Sequence, residues 1–229
     1  MAEWLTPQFW VAALQIVVIN LLLSGDNAVV IALACRNLPP AQRRLGIFWG
    51  VFGAIALRIV LTFFAVSLLE LPWLKLGGAA LLLWIGVKLI EGESAEAHDI
   101  QASERLWGAI RTVVIADAVM SLDNVIGVAG AARGSIALLV FGLVVSIPIV
   151  VLGSQIVMKL IARFPLLVVA GGGLLGYIAG ELAVDDPVMA THAPVLAMQL
   201  HFIGPLVATL FVMGLGVWRS HRHKTSSPS

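Results

Sequence analysis

The chain has 229 residues, 60% of them hydrophobic and only 12% charged, with a mean hydropathy of +1.00. That composition lies outside the range of soluble domains and makes this an integral membrane protein. A net charge of +1 gives no electrostatic basis for binding nucleic acid, and the single cysteine, Cys35, excludes an intramolecular disulfide.

A bilayer core takes about 20 apolar residues per helix. The N-terminus, Met1-Ala-Glu-Trp-Leu-Thr-Pro, lacks the basic region of a secretory signal, and the apolar run behind it is too long for one. The first predicted span is therefore a retained one, Phe9–Ala34, ended by Pro39-Pro40. Leu45–Leu69 is the second and Leu71–Ile90, which contains Pro72, the third; residues 8–92 form a first unit. A cytoplasmic acidic linker at 92–105 follows and reads as solvated chain. The fourth span is Leu106–Ala131, the fifth Ile136–Met158, kinked by Pro148, and the sixth Leu166–Val184; residues 106–185 form a second unit. An outer loop at 185–198, a seventh helix at 199–218 and a basic cytoplasmic tail at 219–229 complete a single membrane domain. The expected fold is all-α, with seven transmembrane helices.

Basic residues set the orientation. With the N-terminus outside, the inner side receives Arg36, Arg43, Arg44, Lys88, Arg105, Arg111, Lys159, Arg163, Arg219, Arg222 and Lys224, and the outer side only Lys75 and Arg133. The positive-inside rule therefore predicts an outside N-terminus and an inside C-terminus, in a cytoplasmic membrane.

Ser24-Gly25-Asp26-Asn27 returns as Ser121-Leu122-Asp123-Asn124, and Asn20 precedes the first copy by the spacing with which Asp117 precedes the second. Pro72-Trp73-Leu74 at the start of span three likewise parallels Pro165-Leu166-Leu167 at the start of span six. Each unit has an odd number of spans, so the second must enter the membrane from the opposite side. The expected plan is an inverted repeat, which places a transport site near the midplane where the units meet.

An aspartate at a helix centre costs roughly 3 kcal/mol on insertion scales, so two in mirrored positions point to a shared polar site. At about 100° per residue, Asn20, Ser24 and Asn27 fall on one face, as do Asp117, Ser121 and Asn124. Asp26 and Asp123 stand off that face. Either the helices unwind at the motif, as Gly25 would permit in the first unit, or spans one and four are central and face protein over a wide arc. The set is all oxygen, with no cysteine or histidine, and suits a hard divalent cation such as Mn²⁺, Mg²⁺ or Ca²⁺. Candidate metal residues are Asn20, Ser24, Asp26, Asn27, Asp117, Ser121, Asp123 and Asn124. Arg58, mid-span with no basic counterpart in the second unit, is expected to be the charge partner of a buried aspartate.

These paired motifs, with the run Ser24-Gly-Asp-Asn-Ala-Val-Val-Ile-Ala-Leu-Ala-Cys-Arg-Asn-Leu-Pro39, resemble the TerC family, in its YjbE branch, over about residues 8–218. The resemblance implies a bacterial exporter, within a superfamily that includes the lysine exporters. It associates the chain with tellurium resistance and with Mn²⁺ efflux, and matches Asp26, Asn27, Asp117, Asp123 and Asn124 to the family's motif positions. One departure is Asn20, where other branches carry an acid; this chain brings one carboxylate fewer.

The expected function is export of a divalent cation, Mn²⁺ favoured, with proton antiport as the simplest coupling. The alternatives are a carrier of another solute or oxyanion, or a non-transporting metal-handling subunit. The metal is cargo, no tightly bound cofactor is expected, and the oligomeric state stays open. No nucleophile–base constellation, phosphate loop or ATPase motif suggests an enzyme.

Overall fold

The computed structural model describes residues 10–11, 14, 25–64, 68, 71–92, 102–131, 136–192 and 194–225. Among these the chain forms α1 (Gly25–Cys35), α2 (Pro40–Phe63), α3 (Leu74–Glu91), α4 (Ala102–Ala131), α5 (Ile136–Arg163), α6 (Leu166–Val184), α7 (Pro187–His192) and α8 (Pro194–Thr225), with no strand. Among the described residues, four helical segments are long and apolar enough to cross a membrane: Pro40–Thr62, Leu143–Arg163, Leu166–Val184 and Gln199–Arg222. The protein is thus an all-helical, multi-pass membrane protein.

Several boundaries differ from the sequence reading, and prolines explain most of the difference. Pro40, Pro187 and Pro194 each open a helix, the one place where a missing N–H costs nothing. Helix α2 consequently starts before the predicted Leu45 and ends at Phe63. The stretch 185–198, expected as an outer loop, holds a helix of its own, and α8 overruns the predicted 199–218 at both ends, carrying Arg219 and Arg222 of the expected tail in helical form. Between α1 and α2, Arg43 Nη2 donates to the carbonyls of Arg36 (3.0 Å) and Leu38 (3.2 Å). Those acceptors beyond the end of α1 would otherwise lack partners away from water.

Contacts along the helices fix their directions. A Cβ on Gly46 would meet Cys35 and Leu106, one on Gly50 would meet Val113, and one on Gly53 would meet Val114. Helices α2 and α4 therefore run parallel, and α1, which descends from Asn27 beside Asp117 to Cys35 beside Gly46, runs against both. Helices α3 and α6 are antiparallel, because Gly86 lies against Gly172 while Gly78 lies against Leu182. The core has two main clusters. One joins Ile31, Leu33 and Cys35 of α1 to Val51 and Val113, and the other joins Leu82 and Ile85 of α3 to Ala116 and Leu175.

The glycine spacing of the sixth span has a direct cause. In lipid, helices associate by close packing, which favours small residues at the contact. Gly172 meets α3, and Gly176 and Gly180 meet α8; a Cβ on Gly176 would lie 2.7 Å from the Ala208 carbonyl oxygen, and one on Gly180 would lie 2.7 Å from Pro205 N.

The start of α3 is held from across the fold. Trp73 adopts a left-handed φ of 69°, a costly conformation for a bulky residue. The fully buried Asp186 accepts hydrogen bonds from the backbone N–H of Trp73 (3.2 Å), Leu76 (3.1 Å) and Val188 (2.9 Å). It caps α7 and α3 together. Burial alone would raise its carboxyl, but the N–H groups of Val188, Leu76, Trp73 and Lys75 outweigh it and hold the carboxyl below the usual carboxylate range. A folded value below the unfolded one means stability present above about pH 4 and lost as pH falls through the depressed value. Asp186→Ala should therefore lower stability near neutral pH by about 1–3 kcal/mol, the cost of stranded buried donors. Asp186→Asn should cost less, because one oxygen remains. Thermal unfolding in detergent at pH 7 checks this, and an unchanged midpoint for the alanine variant would refute the clasp.

Candidate functional site

Four buried polar side chains meet where α1, α2 and α4 cross: Asn27, Arg58, Asp117 and Ser121. Asp117 and Ser121 are four residues apart on an unbroken helix and so share a face. Arg58 reaches them from α2. Its Nη2 lies 2.6 Å from Asp117 Oδ1 in an ion pair, and its Nε donates to Ser121 Oγ at 2.8 Å. The Ser121 hydroxyl in turn donates a hydrogen bond to Asp117 Oδ2 at 3.2 Å. From α1, Asn27 Nδ2 donates to Asp117 Oδ1 at 2.7 Å. Asp117 is thus held by a guanidinium, an amide and a hydroxyl, the dense satisfaction that a buried carboxylate requires.

The amide of Asn27 is only half used. Its Oδ1 is buried and accepts no hydrogen bond among the described residues. Buried acceptors are rarely left so, and an orphan one marks a place where a ligand or water can bind. Beside it is a cavity of about 20 Å³, lined by Asn27, Arg58 and Asp117 and walled by Val30, Ile31, Val51, Ala54, Ile55, Val113 and Val150. That volume holds one water or one small ion, since a single water needs roughly 10–15 Å³ by this measure.

Asp26 stands next to the cluster, half-buried, with Oδ1 accepting the Asn27 backbone N–H at 2.8 Å. It lies within electrostatic reach of both Arg58 and Asp117. The remaining predicted residues divide in two. Asn20 and Ser24 lie outside the described residues, and so does any break in the first span before Gly25. Asp123 and Asn124 belong to α4, but their side chains lie outside what is described. Helix α4 passes through Ser121–Asn124 without unwinding, so in the second unit the discontinuous-helix option does not hold. Among the described residues no three His, Cys, Asp or Glu side chains group as a metal cage; the cluster is one carboxylate with neutral oxygens and a cation.

Two residues at key places carry weak sequence signals. Asp186 sits in an Asp-Pro pair, which marks a helix start for α7. Nothing local shows that it also caps α3, more than 100 residues earlier. Ser121 reads as a metal ligand in the motif, yet it bridges Arg58 to Asp117.

The family model for the integral membrane protein TerC family matches residues 5–224. The chain is 44% identical to the membrane protein YjbE of Bacillus subtilis (strain 168) over 209 residues, which covers 90% of this chain and 93% of that protein. It is 28% identical to YceF of the same organism over 186 residues, 77% and 72% of the two chains. Against the UPF0053 protein YegH of Escherichia coli (strain K12) it is 26% identical over 191 residues, 73% of this chain and 35% of that one. No solved structure matches. With a family match that spans the described helices and a relative aligned almost end to end, the chain belongs to the TerC family of integral membrane proteins.

Proposed function

We propose that this protein is a membrane carrier, not an enzyme, that exports a divalent metal cation from a bacterial cell, with Mn²⁺ the favoured cargo. The observation that carries the reading is the orphan Oδ1 of Asn27, a residue that lines a small cavity together with Asp117. Oxygen donors with a carboxylate suit a hard divalent ion. The lining of the cavity bears on which one. Mg²⁺ gives up its waters reluctantly, and walls of valine, isoleucine and alanine offer few groups to hold a hydrated ion. An oxyanion cargo loses support here, because Arg58 is already turned to Asp117.

The helix packing supports the inverted repeat as the frame for this site. Helices α1 and α4 pack together and run antiparallel, as do α3 and α6. The contact of α2 with α4 is mirrored by that of α5 with α1, and α3 against α4 is mirrored by α6 against α1. That exchange is what a two-fold axis in the membrane plane requires. In this frame the seven-helix protein lies in the inner membrane with its N-terminus outside, and α4 carries the second Ser-x-Asp-Asn motif as α1 carries Asp26 and Asn27 of the first. Protons carried by the site aspartates are the exchange ion.

Purified protein in vesicles should move Mn²⁺ faster than Mg²⁺, with protons moving the other way. Asp26→Asn and Asp123→Asn should each cut Mn²⁺ flux on the order of 100-fold while the protein still inserts. A unit charge at 4 Å is worth about 4 kcal/mol at an effective dielectric of 20. Vesicles that move no divalent cation, or variants that keep wild-type flux, would overturn the reading.

A further inference from the structure

The α1, α2 and α4 walls of the cavity lie to one side of the polar cluster. On α2, Val51, Ala54 and Ile55 come before Arg58; on α4, Val113 comes before Asp117; on the antiparallel α1, Val30 and Ile31 come after Asn27. All of them therefore sit toward the end of the bundle where α1 finishes and α2 and α4 begin, the end that carries Arg36, Arg43 and Arg105. Arg58 and Asp117, bonded to each other, line the cavity at its polar end. A cation that entered would meet Asn27 and the Asp117 carboxylate, and would find a guanidinium already there.

The sequence adds an independent observation. Asp117 is the acid whose counterpart in the first unit is the neutral Asn20, and Arg58 is the mid-span base with none in the second unit around Ile147–Val150. The extra acid and the extra base occur together and touch at 2.6 Å. They cancel, so the two mirrored aspartates of the Ser-x-Asp-Asn motifs remain as net charge, matching a divalent ion.

We propose that the Arg58 guanidinium is a tethered stand-in for the transported cation: it occupies Asp117 and closes the cavity when no metal is bound, and an entering metal displaces it. This rests on the cation-carrier reading. Two positive charges cannot share one buried carboxylate at close range, so metal binding at Asp117 and the Arg58 contact exclude each other. Displacement would free α2 from Ser121 and Asp117 of α4, coupling cargo binding to the contact between these helices. It also gives the empty carrier a compensated carboxylate, so that the site can return without cargo.

The test measures Mn²⁺ binding to purified protein by electron paramagnetic resonance, with and without low-millimolar guanidinium chloride and a sodium chloride control. Arg58→Ala should bind Mn²⁺ about ten-fold tighter or more, since the competing charge is gone. Added guanidinium should weaken Mn²⁺ binding to Arg58→Ala and leave the wild type unchanged, an effect that a purely structural arginine would not produce. Arg58→Lys guards against misfolding. It keeps the charge but lacks the forked donor set that spans Ser121 and Asp117, so its Mn²⁺ affinity should fall between the other two. Affinity in Arg58→Ala that is unchanged or weaker, or Arg58→Ala binding of Mn²⁺ that is insensitive to guanidinium, would overturn the stand-in role and leave the carrier reading standing. If Arg58→Ala does not fold, Arg58→Lys affinity at or below wild type overturns it. A wild type that binds no divalent cation would overturn both.

Discussion

Replacing Asp117 with leucine should destabilise the protein by about 3–5 kcal/mol, among the largest losses any single substitution here can cause. The loss comes less from the missing ion pair than from what is left behind. Arg58 is 3% exposed and cannot reach water from its place on α2. Without Asp117 its charge stays buried, Asn27 Nδ2 loses its acceptor at 2.7 Å, and the Ser121 hydroxyl loses the one at 3.2 Å. Replacing both members of a buried pair with apolar groups of similar volume is often close to neutral, so Asp117→Leu combined with Arg58→Met should recover most of the stability. Thermal unfolding of the two single variants and the double in detergent completes the cycle. A double variant as unstable as Asp117→Leu alone would show that the cluster holds the helices by something other than charge compensation.

A comparable loss should follow from one added side chain on α6. Gly180→Val would place its Cβ against the backbone of Pro205 and Gly204 on α8, including Pro205 N at 2.7 Å, and backbone atoms cannot step aside as a side chain tip can. The helices must then separate, at roughly 3 kcal/mol, the upper end for overpacking. Gly77, Gly108 and Gly214 are the controls, because a Cβ on any of them meets nothing within 4 Å. Alanine at those positions should be neutral or should stabilise by about 0.5–1 kcal/mol through helix propensity. Unfolding midpoints of the four variants, normalised to membrane-inserted protein, check the contrast. A Gly180→Val midpoint as high as those of the controls would show that α6 and α8 are not in such close contact.

Much of this was legible in the residues because helical periodicity is a strong signal in lipid. The polar faces Asn20–Ser24–Asn27 and Asp117–Ser121–Asn124 follow from about 100° per residue, and their members Asn27, Asp117 and Ser121 are the ones found buried and bonded to one another. Asp26, off that face, is half-buried. The four-residue spacing of Gly172, Gly176 and Gly180 is a pattern that favours close packing in lipid, but it does not tell that one turn faces α3 and the next two face α8. Hidden from sequence were the facts that depend on which helix lies beside which. Arg58 signals a need for an acid, but its pairing with Asp117 depends on the parallel run of α2 and α4, which no single helix reveals. Asp186 serving α3 is invisible for the same reason. Pro187 and Pro194 open helices inside the stretch 185–198 that reads as a loop, since proline begins a helix as readily as it ends one.

The bare face of α6 constrains how the molecule can move. Main chain pressed against main chain has no long side chains to stretch across a widening gap, and dispersion loses a quarter to a half of its strength over about 0.5–1 Å. Helix α6 therefore cannot ease away from α3 or α8 by small steps; the three stay together as one block or come apart outright. Whatever shift lets an ion past Arg58 has to be absorbed on the other side of the bundle, where α1, α2, α4 and α5 meet through branched side chains that can repack.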